Sequence, residues 1–245
     1  MDYRRYPIGA REGLWCLLVG VAQTALIAWL FYRSVWGMLL FPAVVLWYLG
    51  RYRRERLRKW QERLLNEFKD AMQAVSSALL AGYSMENAWR EAEKELEELH
   101  GSTSLMLVEV HQINAGIEMN EPLEKLLADF GARSGCEDIE SFAEVFSFAK
   151  RSGGDFVKII RTTVQKLVGK IEVEREIATV LAGKKLEGRV MSAMPITILA
   201  YMTFSSGDFL DVLYGNTAGI LIMSAALAVY AVAMGLSGHI LDIQV

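Results

Sequence analysis

Few residues in this chain have the type and spacing to do chemistry. The three histidines, His100, His111 and His239, are too scattered for a HExxH-type metal site and read as surface or capping residues. Cys16 and Cys136 lack the CxxC or histidine neighbours of zinc or redox sites, and read as a membrane-buried and a reduced cytosolic thiol. Gly183-Lys184-Lys185 lacks the preceding glycine and the hydroxyl of a P-loop, so nothing there cradles a phosphate. Ser152-Gly153-Gly154 lies between helical patterns, without the strand that would make it a nucleophile elbow. The acidic run Glu91, Glu93, Glu95, Glu97 and Glu98 resembles a cation site only in one dimension. Successive helical residues point about 100° apart, so these carboxylates spread over a solvated face, with a basic protein partner as the functional alternative. The sequence thus implies no catalytic residue, no cofactor and no metal, and the chain does not read as an enzyme.

What such residues would have to be positioned by is a chain of two characters. Of its 245 residues 53% are hydrophobic and 22% charged, and mean hydropathy is +0.23. The charge content suits a soluble domain and the apolar content does not, so the two must be segregated. Net charge is −3 and the pI about 5.7, which argues against a nucleic-acid partner. Two cysteines and this much apolar residue exclude a disulfide-stapled secreted module or a disordered chain.

Every lysine lies between Lys59 and Lys185, and the apolar runs lie outside that range. The run from Leu14 to Tyr32 is about 28 Å long as a helix, enough for a bilayer core. Val35 to Leu49 is shorter and interrupted by Pro42, but the turn at Arg33-Ser34 sends it back through the same bilayer. Trp29, Tyr32, Trp36, Trp47 and Tyr48 sit near the ends, as an aromatic belt does. Val190–Phe204 and Thr217–Leu236 form two further runs. The first run has the basic start of a signal peptide (Arg4, Arg5, Arg11), yet it exceeds an h-region and no small-x-small site follows, so it reads as an anchor. Four transmembrane helices in two hairpins are expected. Residues 1–50 form an N-terminal membrane hairpin and 190–245 a C-terminal one, with residues 51–189 as a domain between them.

Arg51, Arg53, Arg54, Arg56, Arg58 and Lys59 crowd the exit of the second span, and Lys184, Lys185 and Arg189 the entry of the third. The positive-inside rule then places both termini and residues 51–189 in the cytoplasm of a multi-pass cell-membrane protein, with anionic lipid attracted at the basic clusters. No Asp, Glu, Lys, Arg or His occurs within the four spans, which argues against transport chemistry. Gly215-x3-Gly219 and Ala231-x3-Gly235 would permit close helix packing.

The stretch 51–189 carries helical periodicity and no strand-like alternation. Leu57, Trp60, Leu64, Phe68, Met72, Val75 and Leu79 form one stripe. Gly82 suits a left-handed helix end and Ser84 a cap for the next helix, whose apolar side is Met85, Ala88, Trp89, Ala92, Leu96 and Leu99. Met106, Val110, Ile113 and Ile117 follow, ended near Gly116. Asn120 caps a helix carrying Leu123, Leu126, Leu127 and Phe130. Ile139, Phe142, Phe146 and Ala149 make the next, and Phe156, Ile160, Leu167 and Ile171 open a long last helix that meets few breakers before Pro195. The expectation is an all-α protein with a cytoplasmic six-helix bundle.

The order of these features carries a resemblance. Phe68, then Ala81-Gly82-Tyr83-Ser84-Met85-x2-Ala88, then Pro122-Leu123 and Arg133, then Arg151-Ser152-Gly153-Gly154-Asp155-Phe156 resemble the type II secretion system F domain, in particular TadB/TadC-type platform proteins of tight-adherence pili. The match covers roughly residues 64 to 200. The domain occurs once here, and Asn120-Glu121 replaces the family's glycine before Pro122. The resemblance implies an inner-membrane platform and no catalyst. Its partners would be a hexameric secretion ATPase, pilin or prepilin subunits, and a second copy or a second F-domain protein. Gly82, Gly153 and Gly154 match pattern positions as structural turns, and Asp155 and Lys158 are candidate partner-facing residues at the membrane-distal end. The alternative is a membrane-anchored helical scaffold or signalling protein unrelated to secretion.

Overall fold

A computed structural model describes residues 3–4, 10–32, 41–152, 156–205 and 216–241. Among them every regular element is helical: α1 (Ala10–Tyr32), α2 (Phe41–Leu80), α3 (Met85–His100), α4 (Leu105–Glu118), α5 (Leu123–Ser134), α6 (Glu137–Ser152), α7 (Phe156–Ser205) and α8 (Thr217–Leu241), with a 3-10 turn at Gly101–Thr103. The all-α expectation is met. The chain divides into a bundle unit, Met1–Pro7 with Arg53–Val173, and an apolar unit, Ile8–Tyr52 with Glu174–Val245.

In the bundle unit the periodic stripes become one core. Leu64, Phe68, Met72, Val75 and Leu79 of α2 are buried, and so are Trp89 and Leu96 of α3, Val110 of α4, Phe130 of α5 and Phe146 of α6. The Phe68 ring packs edge-on against Phe142 at 5.6 Å and tilted against Phe130 at 6.1 Å, so one side chain ties α2, α5 and α6. The helices alternate in direction. Arg63 reaches the Thr103 carbonyl, Arg90 pairs with Glu118, Lys150 pairs with Glu124, and Lys170 pairs with Asp138. The turns after α2 and α4 and the last turn of α6 therefore share one end. The turns after α3 and α5 share the other, where α2 enters the unit and α7 leaves it.

Local chemistry explains the ends. Gly82 has φ +88°, and the Tyr83 N–H donates to the Ala78 carbonyl at 3.1 Å, closing α2 as a left-handed cap does. Ser84 Oγ accepts from the Asn87 N–H, as its sequence position suggests. Three expectations need correction. Asn120 does not cap α5: it takes the left-handed conformation (φ +60°) that ends α4, the Glu121 N–H donates to the Gly116 carbonyl, and Pro122 is the residue before α5. Gly116 does not end α4 but lies buried inside it, where Leu126 of α5 approaches so closely that a Cβ would sit 2.6 Å from its δ-carbon. Leu99, at the last turn of α3, is 61% exposed because the helix runs past the core there.

The apolar unit is built differently. α1 packs against α8, Trp29 of α1 lies 5.7 Å from the Phe204 ring of α7, and Tyr230 Oη of α8 donates to the Ser192 carbonyl at 2.7 Å. Its buried residues include Gly20, Thr24, Thr203, Gly219 and Met223. The two threonine hydroxyls donate to carbonyls four residues back in their own helices, so they are buried without a debt. The large side chains point outward: Leu14, Trp15, Met191, Tyr201, Phe204, Leu221 and Val229 are all more than half exposed.

Of the four expected spans, only α8 is long and apolar enough among the described residues to cross a membrane on its own, over Ala218–Ser237. Gly13–Leu26 is a shorter apolar helix. The third run, 190–204, is the last part of α7, a single helix of 50 residues with Pro195 inside it. Part of the second run, 35–40, lies outside the described residues, and Pro42 stands in the first turn of α2, where its missing N–H costs nothing.

Candidate functional site

The expected turn residues fall unevenly. Gly82 lies at the end of the bundle unit remote from the entry of α2 and the exit of α7. Gly153, Gly154 and Asp155 lie outside the described residues. Lys158 is exposed on the first turn of α7. Arg51, Arg53, Arg54, Arg56, Lys59, Lys184 and Arg189 are exposed, while Arg58 and Lys185 are half-buried; Lys59 pairs with Glu55 and Lys184 with Glu187.

The remote end presents apolar side chains to solvent. Leu80 and Tyr83 flank the Gly82 turn, Met119 crowns the α4–α5 turn, and Phe148 stands near the end of α6; all are at least half exposed. Arg90–Glu118, Lys125–Glu121 and Lys150–Glu124 pairs surround them. Such a surface suits contact with another protein better than the chemistry of a small substrate.

The opposite end holds the bundle's buried charges, and sequence reading missed both. Glu67 on α2 turns its carboxylate to the start of α4. One oxygen accepts the Ser104 hydroxyl at 3.0 Å and the Leu105 and Met106 N–H groups at 2.6 and 3.0 Å, and the other takes Arg63 Nε at 2.7 Å. Burial pushes its carboxyl upward, but the Met106 N–H, Arg63 and Ser104 together outweigh this and hold it below the ordinary carboxylate range. A helix N-terminus is thus capped by a charge from a different helix, which also satisfies the dipole.

Glu109 on α4 is fully buried and receives both terminal nitrogens of Arg133 on α5, at 3.2 and 2.9 Å, while Arg133 Nε goes to Asp129. The third donor to Glu109 is the Tyr3 hydroxyl, 3.0 Å away. Burial, then the Glu109 charge, holds the Tyr3 phenol well above its ordinary range; the hydrogen bond to Glu109 does the same for the Arg133 guanidinium. Both carboxylates had a signal in the sequence. Glu109 stands three residues after Met106 and four before Ile113, and Glu67 stands between Leu64 and Ala71 at the same spacings, so each lies on an apolar stripe. Nearby, burial pushes the Cys136 thiol up to about 11, which keeps it protonated and unreactive at neutral pH. His100 and His111 are held by Asp70 and Glu93, and no group of three metal-ligating side chains occurs among the described residues.

The hydrogen bonds of the cluster join α2 to the start of α4, and α4 to the end of α5. Its chemistry is that of holding helices together. Comparison with protein-family models, curated proteins and solved structures finds no match to this chain.

Proposed function

We propose that this chain is an inner-membrane platform of a type II secretion or Tad-like pilus machine, coupling a hexameric secretion ATPase to pilin extraction and filament assembly. The observation that carries the membrane part is the reversal of burial in the apolar unit, where threonine and glycine face inward and tryptophan, leucine and phenylalanine face out. Water penalises that arrangement and lipid does not, because acyl chains are as apolar as leucine and helix contact in lipid favours small residues. The four spans, the two hairpins and the cytoplasmic placing of residues 51–189 and both termini belong to this reading, supported by the basic clusters at residues 51–59 and 184–189.

The platform part rests on the resemblance in the order of turns, now joined by a helical bundle whose remote end exposes Leu80, Tyr83 and Met119 beside the Gly82 turn. That end, with Lys158 in the first turn of α7, is the surface this reading gives to the ATPase; Asp155, its other candidate, lies outside the described residues. The pilin and a second platform subunit would meet the apolar helices. In this reading no step is catalysed by the chain. Work done on the bundle passes along α7, which is unbroken through Gly183 and Gly188.

Purification in mild detergent from the native host, with mass spectrometry of what stays bound, tests it. Recovery of a secretion ATPase, a sister F-domain protein or a prepilin is the expected result. A clean homo-oligomer after cross-linking in cells, with none of these, sinks the platform reading and favours a membrane-anchored scaffold.

A further inference from the structure

Two helices of the bundle unit carry opposite charge on their exposed sides. α7 turns Ile160, Val164, Leu167 and Ile171 inward and leaves Lys158, Arg161, Lys166 and Lys170 exposed. From Phe156 to Ile171 it has no aspartate or glutamate, so with these four cations the stretch carries +4. α3 buries Ala88, Trp89, Ala92 and Leu96 and sets six glutamates against Arg90 and Lys94, a net −4 with His100 neutral. Lys94 pairs with Glu91, and Arg90 with Glu118. Glu86, Glu95, Glu97 and Glu98 are exposed and stand in no ion pair among the described residues, and the same holds for Arg161 and Lys166 of α7.

These charges do not neutralise each other within one chain. α3 is joined to α2 through His100 and Asp70 and to α4 through Glu93 and His111. α7 is joined to α6 through Phe156 and Phe146, 5.2 Å apart, and through Lys170 and Asp138. No ion pair among the described residues of the bundle unit joins α3 to α7. Between α6 and α7 lies a groove of about 190 Å³, with Phe142 and Leu167 in its floor and Ser141, Thr163, Lys166 and Lys170 at its edges. Its one carboxylate, Asp138, is taken by Lys170 at 2.6 Å. A surface that is apolar below and cationic at the edge suits the long, negatively charged side chains of an acidic helix.

We propose that the α7 face of one copy receives the α3 face of a second copy of this chain. Geometry is matched as well as charge. Both helices start at the end that holds the Gly82 turn and run the same way. Lys158 to Lys170 and Glu86 to Glu98 each span twelve residues, about 18 Å of helix. A second copy in the same orientation, turned about an axis along the bundle, therefore lays its α3 beside α7 with the two charged stretches level. The contact uses different patches on the two copies. A pair leaves one α3 and one α7 open, so the arrangement extends to rings or rows instead of closing as a dimer. Charged surfaces of this kind give orientation and salt sensitivity more than strength, so the contact is weak and reversible. It concerns the bundle unit alone and does not rest on the secretion reading.

Carbodiimide coupling of the full chain in mild detergent tests this, because it joins a glutamate to a lysine only where the two touch. Heavy-isotope-labelled and unlabelled chain are mixed in equal amounts, and mass spectrometry identifies the coupled peptides. Peptides that join α3 to α7 across the two isotopes are expected at low salt. Their yield should fall about tenfold at about 1 M salt, where the screening length is about 3 Å. Arg161→Glu with Lys166→Glu should lower the yield at least about tenfold, and so should Glu95→Lys with Glu98→Lys, since each sets like charges face to face. An equal mixture of the two double variants restores it, because an unaltered α3 in one then meets an unaltered α7 in the other. All four positions are exposed, so both variants should keep the wild-type melting transition by far-UV circular dichroism. Coupled α3–α7 peptides of one isotope only, or none while copies still co-purify, overturn the proposal, since the copies then meet elsewhere. A mixture that stays at the yield of the separate variants overturns it too. Coupling in native membranes that joins α7 only to another protein gives the face to that protein and removes the second copy as its occupant.

Discussion

The two units of this chain bury opposite things. In the bundle unit Trp89, Phe68 and Phe130 are 0% exposed, and the surface carries the charges. In the apolar unit Trp15 is 69% and Phe204 80% exposed, while Thr24 and Thr203 are inside. Both units are made of helices of similar regularity, so secondary structure does not distinguish them. The direction of burial does: the first hides its large side chains from water, and the second presents them, the contrast on which the proposed membrane placement rests.

The sharpest way to break this contrast is to truncate one aromatic on each side of it. Phe68→Ala opens a cavity where three helices meet and should cost about 3–5 kcal/mol of bundle stability, measured by urea unfolding of the detergent-solubilised chain. Trp15→Ala should change the same midpoint by no more than about 0.5 kcal/mol. Equal losses would mean that Trp15 is core after all and that the exposed face of α1 is covered within the protein.

A charge tests the contrast from the solvent's side. Val229, midway along α8 and 71% exposed, becomes a burden in lipid if replaced by arginine, about 2.5–3.5 kcal/mol at a span's centre. Val229→Arg should shift the protein toward the alkali-extractable fraction of membranes, whereas Met119→Arg on the bundle should not. Identical extraction of both would remove the membrane reading of α8.

The smallest effect lies within the bundle and is read by pH. Glu67→Gln removes a charged cap and should cost about 1.5–3 kcal/mol at pH 7. The folded carboxyl is depressed below its ordinary value of 4.5, so its contribution is complete above that value and is lost as the pH falls through the lower, folded one. Wild type and variant should therefore converge on acidification, the wild type losing more. A gap that stays constant down to pH 2 would show that Glu67 acts by shape and not by charge.

Most of the bundle was legible because its helices obey a 3.6-residue period that no other structure satisfies. Phe68, Met72 and Val75, or Ile139, Phe142 and Phe146, spaced by three and four, share a face in a helix and not in a strand. The Gly82 turn and the Ser84 cap were legible because each depends on one residue's own chemistry. Periodicity fails where a helix leaves the core, as at Leu99, and it cannot tell a glycine that ends a helix from one that lets a neighbour in, as Gly116 does. The polar cluster was the least legible. Glu67 and Glu109 break the pattern of their stripes, but their partners Ser104, Arg133 and Tyr3 are brought to them by tertiary folding alone. Gly153, Gly154 and Asp155 fall outside the described residues and take no part in that account.

The Tyr3 contact also sets an order of events during synthesis. Its hydroxyl acceptor, Glu109, lies 106 residues further on, and Arg133 later still. At 5–20 residues per second, about 5 to 21 s pass on the ribosome before even Glu109 has been added. The apolar run Leu14–Tyr32 is complete long before then. When that run is complete neither Glu109 nor Arg133 has been made, so Tyr3 has nothing yet to grip.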